Sequence, residues 1–384
     1  MPSNPEISTP PSKLSDAFLS HPFHLHHEFS DMTSLKELPD SYDWTDQPNV
    51  VPTATGGGDS VLFEPLPVVD FNDPDALQLI GRACKTWGAF QVINHGIPTS
   101  ILDQTELTTR KLFSLPIEQK LKACRSPDAI SGYGLIRSHS FFSKIMWSEG
   151  FTVLGSPLHH FRQLWPQDYA KHCDVIEEYK KEMKILAQKL MWLMLGSLGI
   201  TKEDVDWADS NGYILDASSV LQMNHYPACP DPDRAVGMAA HTDSDFLTIV
   251  YQDNTSGLQV LKEGTGWVPV PVIPDGLVVN VGDLLHILSN GSYPSVLHRA
   301  VVNRSKARIS VAYFYGPPAT GQVSPLPKLI GPGHPPLYRT ITWGEFLGVK
   351  AKYFNRALSS IRVTETPPIE FVDANDDDNS IEVA

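Results

Sequence analysis

Three residues in the second half of the chain have the types and spacing of metal ligands: His241, Asp243 and His298. His241 and Asp243 lie two positions apart, so on extended backbone their imidazole and carboxylate project from the same face. His298 is distant in sequence, but the residues between suggest several short strands, and antiparallel strands can return it to the same place. Two histidines and one carboxylate on one face of an ion, with the other face open, form the ligand set of non-haem Fe(II) centres. A structural zinc site would take a fourth protein ligand, and the sequence suggests none here.

A second pair with the same spacing, Arg308 and Ser310, begins about ten residues after His298. A guanidinium fork beside a hydroxyl can hold a carboxylate through charge-assisted, bidentate hydrogen bonds. Arg299 and Arg304 flank the strand predicted around His298 and are competing candidates. The strand face that Arg308 shares with Ser310 favours Arg308 as the carboxylate-binding residue.

Together these motifs resemble the plant 2-oxoglutarate- and Fe(II)-dependent dioxygenases: His-x-Asp, a distant His and then Arg-x-Ser, in this order and at this spacing. Residues 87–97 resemble a sequence box from the N-terminal region of the same superfamily. Within that box His95 is expected to be a hydrogen-bonded turn residue. Residues 224–229 resemble the box whose tyrosine helps bind 2-oxoglutarate. The resemblance covers roughly residues 65–362.

The resemblance implies Fe(II) as the metal, 2-oxoglutarate and O2 as co-substrates, and ascorbate as the reductant. Fe(II) would be bound by His241, Asp243 and His298. Arg308 would position 2-oxoglutarate, and no protein acid or base is expected. The residues expected around 2-oxoglutarate are Asn224, Tyr226, Arg308 and Ser310.

Residues 140–152 and 155–166 resemble the signature of the gibberellin 3-oxidases, and residues 38–44 resemble their short N-terminal box. This resemblance implies 3β-hydroxylation of a 19-carbon gibberellin precursor, coupled to decarboxylation of 2-oxoglutarate to succinate and CO2. Such a substrate is apolar and carries a carboxylate, so its pocket should combine aromatic walls with one cation. The candidate pocket residues are Tyr133, Arg137, Phe142, Lys144, Trp147 and Phe314.

Several alternatives remain open at this point. Within the family, the chain could be a gibberellin 2-oxidase or another diterpenoid or flavonoid oxidase. It could also be a catalytically silent hormone-binding protein on the same fold, or a cupin-like zinc protein. Product regiochemistry separates the oxidases, and restoration of activity by Fe(II) but not Zn(II) would exclude the zinc protein.

The elements that must position these residues follow from hydrophobic periodicity. Helices are predicted over residues 75–86, within 100–125, and over 174–198 and 342–357. From residue 219 the apolar period changes to two, and strands are predicted over residues 219–226, 246–251, 257–261, 267–271, 277–281, 284–288, 296–302 and 307–315. His225 and His286 lie in these strands and are interpreted as structural. Eight short strands with turns between them predict an α+β protein with a mainly β core, a double-stranded β-helix of the jelly-roll, cupin-like type, wrapped by N-terminal and C-terminal helices.

Five regions are predicted along the chain. Residues 1–60 form a flexible leader with at most one short docked segment, and 61–205 form the N-terminal helical and strand region. Residues 206–320 form the β-helix core, 321–365 a C-terminal helical extension, and 366–384 an acidic disordered tail.

Composition restricts the class of protein. The 384 residues are 41% hydrophobic and 19% charged, which is ordinary for a globular chain. A formal net charge of -14 argues against nonspecific nucleic-acid binding. The four scattered cysteines favour a reducing compartment over a disulfide framework. With no signal peptide or membrane span apparent, we expect a cytoplasmic protein, with a nuclear location also open, that binds a small molecule. The oligomeric state is open, with a monomer expected.

Overall fold

The structure is a computed structural model that describes residues 32–46, 64–126, 129–134, 142–205 and 218–363. The predicted acidic tail and the candidate pocket residue Arg137 lie outside the described residues. Within the predicted leader, residues 32–46 form a docked segment. Trp44 is fully buried, and its Nε1 donates to the carbonyl of Ile145 at 3.0 Å.

Among the residues that the structure describes, five helices lie before residue 200 and three lie after residue 280. They are α1 (Ala76–Trp87), α2 (Thr99–Phe113), α3 (Ile117–Lys120), α4 (Leu158–Leu164), α5 (Tyr169–Ser197), α6 (Asp283–Leu288), α7 (Trp343–Tyr353) and α8 (Ala357–Ser360). The strands are β1 (Val68–Asp70), β2 (Ala89–Ile93), β3 (Gly132–Gly134), β4 (Glu149–Leu154), β5 (Ser218–Tyr226), β6 (Met238–His241), β7 (Leu247–Gln252), β8 (Leu258–Lys262), β9 (Gly266–Pro269), β10 (Leu277–Val281), β11 (His298–Ala300), β12 (Arg308–Gly316), β13 (Gln322–Val323) and β14 (Ile341–Thr342).

Two sheets form the centre of the molecule. The larger has the order β1-β2-β10-β7-β12-β5-β4-β3, and the smaller has the order β6-β11-β8-β9. All pairings in them are antiparallel except that of β1 with β2. The chain therefore forms a two-sheet, mainly antiparallel β core with helices around it, as the sequence predicts.

One face of the larger sheet packs against the helices. Helix α5 contributes a buried stripe at helical spacing, and this stripe joins the same apolar cluster as alternate residues of β5, β7, β10 and β12. The stripe residues are Ile176, Tyr179, Met183, Leu186 and Leu190, each at most 2% exposed. Burial of such a side chain contributes about 1.5–3 kcal/mol, so α5 fixes the sheet from behind.

The other face of the larger sheet lines a cavity. Because side chains alternate along a strand, residues in register across neighbouring strands form rows on this face. One row consists of Val250, Ala312, Gln222 and Thr152, contributed by β7, β12, β5 and β4 in turn. All four contribute to the cavity wall.

Three local predictions need correction. Residues 284–288 form most of helix α6, where a strand was predicted. Four leucine and isoleucine residues there are all buried, and a short apolar run that is buried all round gives no period to distinguish helix from strand. The strand predicted over 296–302 is confined to His298–Ala300, and strands β3 and β4 were not predicted within the aromatic region 131–157.

Candidate active site

His241, Asp243 and His298 come together at one end of the smaller sheet. His241 is the last residue of β6, and the antiparallel pairing of β6 with β11 places it directly opposite His298. Asp243 follows in the loop, with its Oδ1 3.6 Å from Nε2 of His298 and 3.8 Å from Nε2 of His241. One ligand atom from each residue lies within 4.8 Å of the others. The predicted convergence of the distant histidine therefore occurs through strand pairing.

Backbone hydrogen bonds orient both imidazoles. Nδ1 of His241 donates to the carbonyl of Ala239 at 2.9 Å, and Nδ1 of His298 donates to the carbonyl of Val296 at 3.2 Å. With the proton on Nδ1, each Nε2 carries a lone pair directed at the common centre. Burial, together with the neighbouring His298, lowers the pKa of His241 to about 4. His241 is therefore neutral near pH 7, as a metal ligand must be.

The loop that carries Asp243 is held by buried polar contacts. Oδ2 of Asp243 accepts from the amide of Asn280 at 3.2 Å, and the backbone N–H of Asp283 donates to the carbonyl of Asp243 at 2.8 Å. Gly282 makes a close approach to this loop, because a Cβ there would lie 2.1 Å from the carbonyl oxygen of Asp245. These contacts fix the carboxylate between the two imidazoles.

Asp283 also joins the loop to the C-terminal helix α7. The carboxylate of Asp283 is fully buried and accepts from Nζ of Lys350 at 2.6 Å and from Oγ1 of Thr242 at 3.2 Å. Nζ of Lys350 also donates to Thr242, the residue between the two ligands of the His-x-Asp motif. Just beyond α7, the amide of Asn355 donates to the carbonyl of Ala240 at 3.1 Å.

The donor set fits a ferrous ion. Three neutral or anionic ligand atoms meet on one side, and the cavity opens beyond them, which leaves positions for further ligands. Two imidazoles and one carboxylate are the ligand set of a non-haem Fe(II) centre. A structural zinc site would have four protein ligands.

The residues predicted to bind 2-oxoglutarate lie on the cavity face of β5 and β12. Arg308 pairs in register with Tyr226, and Ser310 pairs with Asn224. The guanidinium carbon of Arg308 lies 5.1 Å from the centre of the Tyr226 ring, and Nη2 donates to Oε1 of Gln252 at 3.0 Å. Nε of Arg308 is buried without a protein partner among the described residues. A buried cationic donor left unpaired at a cavity wall is the feature that the distal carboxylate of 2-oxoglutarate would complete.

The cavity between the two sheets has a volume of about 290 Å³ and contains both clusters. Its wall includes the three metal-ligand candidates, the cavity face of β5 and β12, and residues of α7. A single space thus joins the metal centre to the carboxylate-binding arginine.

Of the predicted substrate residues, Phe314 lies in the cavity wall. Trp147 does not, since it is fully buried with its Nε1 donating to the carbonyl of Pro227 at 3.1 Å. Phe142 lies one layer behind the wall, 5.6 Å from Phe354, which does line the cavity.

Tyr133 and Lys144 also lie away from the cavity wall. Tyr133 is 2% exposed, and its hydroxyl donates to Glu149. Nζ of Lys144 donates to the carbonyl of Asp40 at 3.2 Å and lies 3.7 Å from Asp46. These two residues and Trp147 are not brought to the cavity wall, because the aromatic region packs between strands and the docked N-terminal segment.

The competing histidines and arginines have structural partners. His95 donates from Nε2 to the carbonyl of Asp275 at 2.7 Å, and His225 lies 2.8 Å from Glu149. His286, which lies on α6, donates from Nδ1 to the carbonyl of Tyr293 at 2.7 Å. Arg304 is an exposed partner of Asp231 and Asp233.

Sequence reasoning missed two cations of the cavity wall, Arg125 and Lys350, and the buried Asp283 that accepts from Lys350. Arg125 follows a helical segment and Lys350 lies on α7, in neither case with a spacing motif. Asp283 falls between the strands predicted over 277–281 and 284–288. No local pattern distinguishes them from surface residues, because only the folded chain brings them to the cavity.

Residues 217–317 match the 2OG-Fe(II) oxygenase superfamily, and residues 66–168 match the N-terminal region of the non-haem dioxygenases in morphine synthesis. The chain belongs to the 2-oxoglutarate- and Fe(II)-dependent oxygenases, as the sequence predicts. It is 56% identical to a Pisum sativum protein named gibberellin 3-beta-dioxygenase 1, over 96% of this chain and 99% of that protein. It is 54% identical to the Arabidopsis thaliana protein of the same name, over 92% and 98% of the two chains.

Solved structures of the family share the predicted fold. The crystal structure of JOX2 in complex with 2OG, Fe and JA has a TM-score of 0.69 and 31% identity, covering 82% of this chain and 89% of that one. The rice dioxygenase for auxin oxidation has a TM-score of 0.64 and 26% identity, covering 77% and 99%. The double-stranded β-helix prediction is confirmed. In the described part of the chain, no helix combines the length and apolar character that crossing a bilayer takes.

Proposed function

We propose that this protein is a gibberellin 3β-hydroxylase that uses 2-oxoglutarate and O2. The observation that carries the proposal is the 56% identity to the Pisum sativum gibberellin 3-beta-dioxygenase 1 along nearly the whole of both chains. The residues proposed to bind Fe(II) and 2-oxoglutarate all line one cavity, which supports the proposal. The substrate class would be a 19-carbon gibberellin precursor, an apolar acid.

Fe(II) and 2-oxoglutarate, when bound, supply the oxidation, in which one atom of O2 enters the substrate as a hydroxyl and the other enters the succinate formed as CO2 leaves. His241, Asp243 and His298 would hold the ion through Nε2, Oδ1 and Nε2. Arg308, with Ser310 and Tyr226, would hold the distal carboxylate and so fix the orientation of 2-oxoglutarate. The family chemistry requires no protein acid or base.

The protein positions the substrate and excludes water from the reaction. Phe314 and Phe354 supply aromatic walls for an apolar substrate, and the cavity wall also includes aliphatic residues of both sheets. Exclusion of water protects reactive species from side reactions. Holding the substrate carbon at one distance from the metal sets the position that is hydroxylated.

Other features of the biology remain predictions. Ascorbate would keep the iron ferrous, the location would be cytoplasmic or nuclear, and the active form would be a monomer. Neither nucleic acid nor membrane is a proposed partner. Size-exclusion chromatography with light scattering measures the oligomeric state directly.

The deciding experiment is a reaction of the purified, Fe(II)-loaded protein with 2-oxoglutarate, ascorbate and a gibberellin that lacks the 3-hydroxyl. We expect a 3β-hydroxylated product and succinate in equal amounts, resolved by mass spectrometry. Hydroxylation at carbon 2 would instead identify a gibberellin 2-oxidase. If succinate forms without any gibberellin product, the assignment of the metal site would stand and the proposed substrate would be wrong.

Two further measurements test the alternatives of a silent binding protein and a zinc protein. The variant Asp243→Ala, which lacks the carboxylate ligand, should form neither product and serves as the blank. Gibberellin binding without succinate formation in the Fe(II)-loaded wild type would identify a silent binding protein. Activity restored by Zn(II) after metal removal would identify a zinc protein.

A further inference from the structure

A row of hydrogen-bonded polar side chains crosses the cavity face of the larger sheet and ends at the proposed 2-oxoglutarate site. Gln222 and Asn224 lie two positions apart on β5, so both side chains leave the same face of the strand. Thr152 on β4 is in register with Gln222, and Ser310 on β12 is in register with Asn224. Thr152, Asn224 and Ser310 are at most 5% exposed, and Gln222 is half-buried at the cavity wall. Polar groups in such a place find their hydrogen bonds mainly within the protein.

The carboxamide of Gln222 uses its oxygen and both of its N–H groups. Its Oε1 accepts from the hydroxyl of Thr152, and its Nε2 donates to the carbonyl of Met223 at 3.2 Å and to Oδ1 of Asn224 at 3.1 Å. A backbone carbonyl can only accept hydrogen bonds. The carbonyl of Met223 therefore fixes the nitrogen of the carboxamide, and not its oxygen, on the side that faces Asn224.

Gly150 on β4 leaves the space that this carboxamide occupies. Gly150 is in register with Asn224, and a Cβ at Gly150 would overlap Nε2 of Gln222 but would lie 3.6 Å from Oδ1 of Asn224. The φ of Gly150 lies outside the left-handed region. The close approach of Gln222, and not the backbone conformation, therefore favours glycine at this position.

The orientation of Gln222 determines the orientation of Asn224. Because Oδ1 of Asn224 accepts from Gln222, its Nδ2 faces the other way and donates to Oγ of Ser310 at 3.5 Å. The Ser310 hydroxyl has one proton, and the bond with Asn224 does not use it. That proton can be donated to the hydroxyl of Tyr226 or to a carboxylate bound beside Arg308. Of these two acceptors the carboxylate is the stronger, because it is charged.

We propose that Gln222 is a positioning residue for 2-oxoglutarate, which keeps the Ser310 hydroxyl oriented as a hydrogen-bond donor. Gln222 acts through Asn224 and does not itself contact 2-oxoglutarate. If the amide of Asn224 were reversed, its Oδ1 would accept the Ser310 proton, and Ser310 would offer the carboxylate only lone pairs. This inference rests on the proposed function, because it deepens the assignment of Arg308 and Ser310 to the distal carboxylate of 2-oxoglutarate.

The first test uses Gln222→Met, which keeps the length of the side chain and removes its hydrogen bonds. The amide of Asn224 can then take either orientation. The dissociation constant of 2-oxoglutarate, measured by anaerobic calorimetry on the Fe(II)-loaded protein, should therefore rise about 3- to 10-fold. The KM for 2-oxoglutarate should rise by a similar factor, while kcat stays near that of the wild type.

Two further variants accompany Gln222→Met. Gly150→Ala should also weaken 2-oxoglutarate binding, because its Cβ displaces the Gln222 carboxamide and leaves Asn224 at an ordinary contact distance. Gln119→Met is the matched control. It also removes a half-buried carboxamide that donates to two backbone carbonyls, but Gln119 lies on α3 and outside the cavity wall. Its dissociation constant for 2-oxoglutarate should equal that of the wild type.

A double-mutant cycle shows whether Gln222 acts through Ser310. Because Ser310→Ala removes the hydroxyl, adding Gln222→Met to it should change the dissociation constant no further. An equal rise in both backgrounds would overturn the inference. So would an unchanged constant in Gln222→Met with a lower melting temperature, which is the result expected of a purely structural residue. A rise in the KM for gibberellin alone would make Gln222 a substrate contact and would also overturn the inference.

The cycle also separates this inference from the proposed function. If Ser310→Ala binds 2-oxoglutarate as tightly as the wild type, the inference fails together with the assignment of Ser310 to the 2-oxoglutarate site. If the wild type binds 2-oxoglutarate but hydroxylates no gibberellin, the proposed function fails, and the calorimetric cycle still decides the role of Gln222.

Discussion

Arg308 illustrates how single residues acquire a role through their neighbours. The strand pairing of β12 with β5 and β7 buries it to 3% exposure, and Gln252 and Tyr226 fix the direction of its guanidinium. A side chain fixed in this way loses little further entropy when it binds a carboxylate. The Arg-x-Ser spacing is visible in the sequence, but the partners that orient Arg308 lie on two other strands.

Arg308→Lys should raise the KM for 2-oxoglutarate about 10- to 100-fold, because the ammonium cannot reproduce a bidentate contact. Steady-state kinetics of succinate formation measure this change. Arg304→Lys is the matched control, since Arg304 is an exposed arginine on the loop before β12 and its effect should be within error. An unchanged KM in Arg308→Lys would assign the 2-oxoglutarate carboxylate to another residue.

The site could be predicted from sequence where its residues obey a strand period. His241 with Asp243, and Arg308 with Ser310, share a face because they are two residues apart, and the structure places both pairs at the cavity. His298 has no partner at this spacing and was identified from its place in the motif order, whereas Arg125 and Lys350 belong to no motif and were missed. Trp147 was expected at the substrate and is instead buried against Tyr42 of the docked N-terminal segment, because aromatic composition alone gives no direction to a side chain.

The same contrast, between sequence with a clear pattern and sequence without one, explains which helices and strands were predicted. Strand β10 was predicted at its observed bounds, Leu277–Val281, from a run of β-branched residues. Helix α6 was missed, although the acidic Asp283 opens its first turn. Its apolar residues are buried on all sides, so only the tertiary packing determines its conformation.

Helix α7 connects the C-terminal part of the chain to the metal-binding loop. Lys350 bridges the buried Asp283 and Thr242, and Asp283 in turn holds the backbone of Asp243. Outer contacts of this kind orient metal ligands, and their loss commonly costs 10- to 100-fold in metal affinity. A helix far from β6 in sequence thereby acts as a positioning element for the metal centre.

Lys350→Met should weaken metal binding about 10-fold or more, because it removes the cation that holds the bridge from Asp283 to the ligand loop. Titration of the metal-free protein with Co(II), followed by its visible absorption, measures the dissociation constant. Lys352→Met, an exposed lysine on the same helix, is the control. An unchanged Co(II) affinity together with a lower melting temperature would show that Lys350 stabilises the fold and does not position the metal ligands.

At the scale of the whole molecule, one buried polar network ties the helical layer to the edge of the larger sheet. Glu149 of β4 is 4% exposed and accepts from Nζ of Lys120 at 2.7 Å and from the hydroxyl of Tyr133. Its Oε1 accepts from Nδ1 of His225 at 2.8 Å. Four segments separated by up to about a hundred residues thus meet at one carboxylate, directly behind β5, the strand that carries Asn224 and Tyr226.

The pKa of Glu149 makes this network sensitive to pH. Burial alone would raise the pKa of the carboxyl, but the hydrogen bond from His225 and the charge of Lys120 outweigh burial, so the pKa lies below its usual value of 4.5. A carboxyl whose pKa is lowered on folding contributes stability above its unfolded pKa. That contribution is lost as the pH falls through the folded pKa.

Glu149→Gln should lower the free energy of unfolding by about 2–4 kcal/mol at pH 7, because it leaves Lys120 buried without its counter-ion. Urea unfolding at a series of pH values measures the difference from the wild type, which should be full above pH 4.5 and shrink below it. Glu178→Gln, which breaks an exposed pair with Lys181, should cost at most about 1 kcal/mol at any pH. A constant difference between Glu149→Gln and the wild type across this range would mean that the carboxyl stabilises the fold through packing rather than charge.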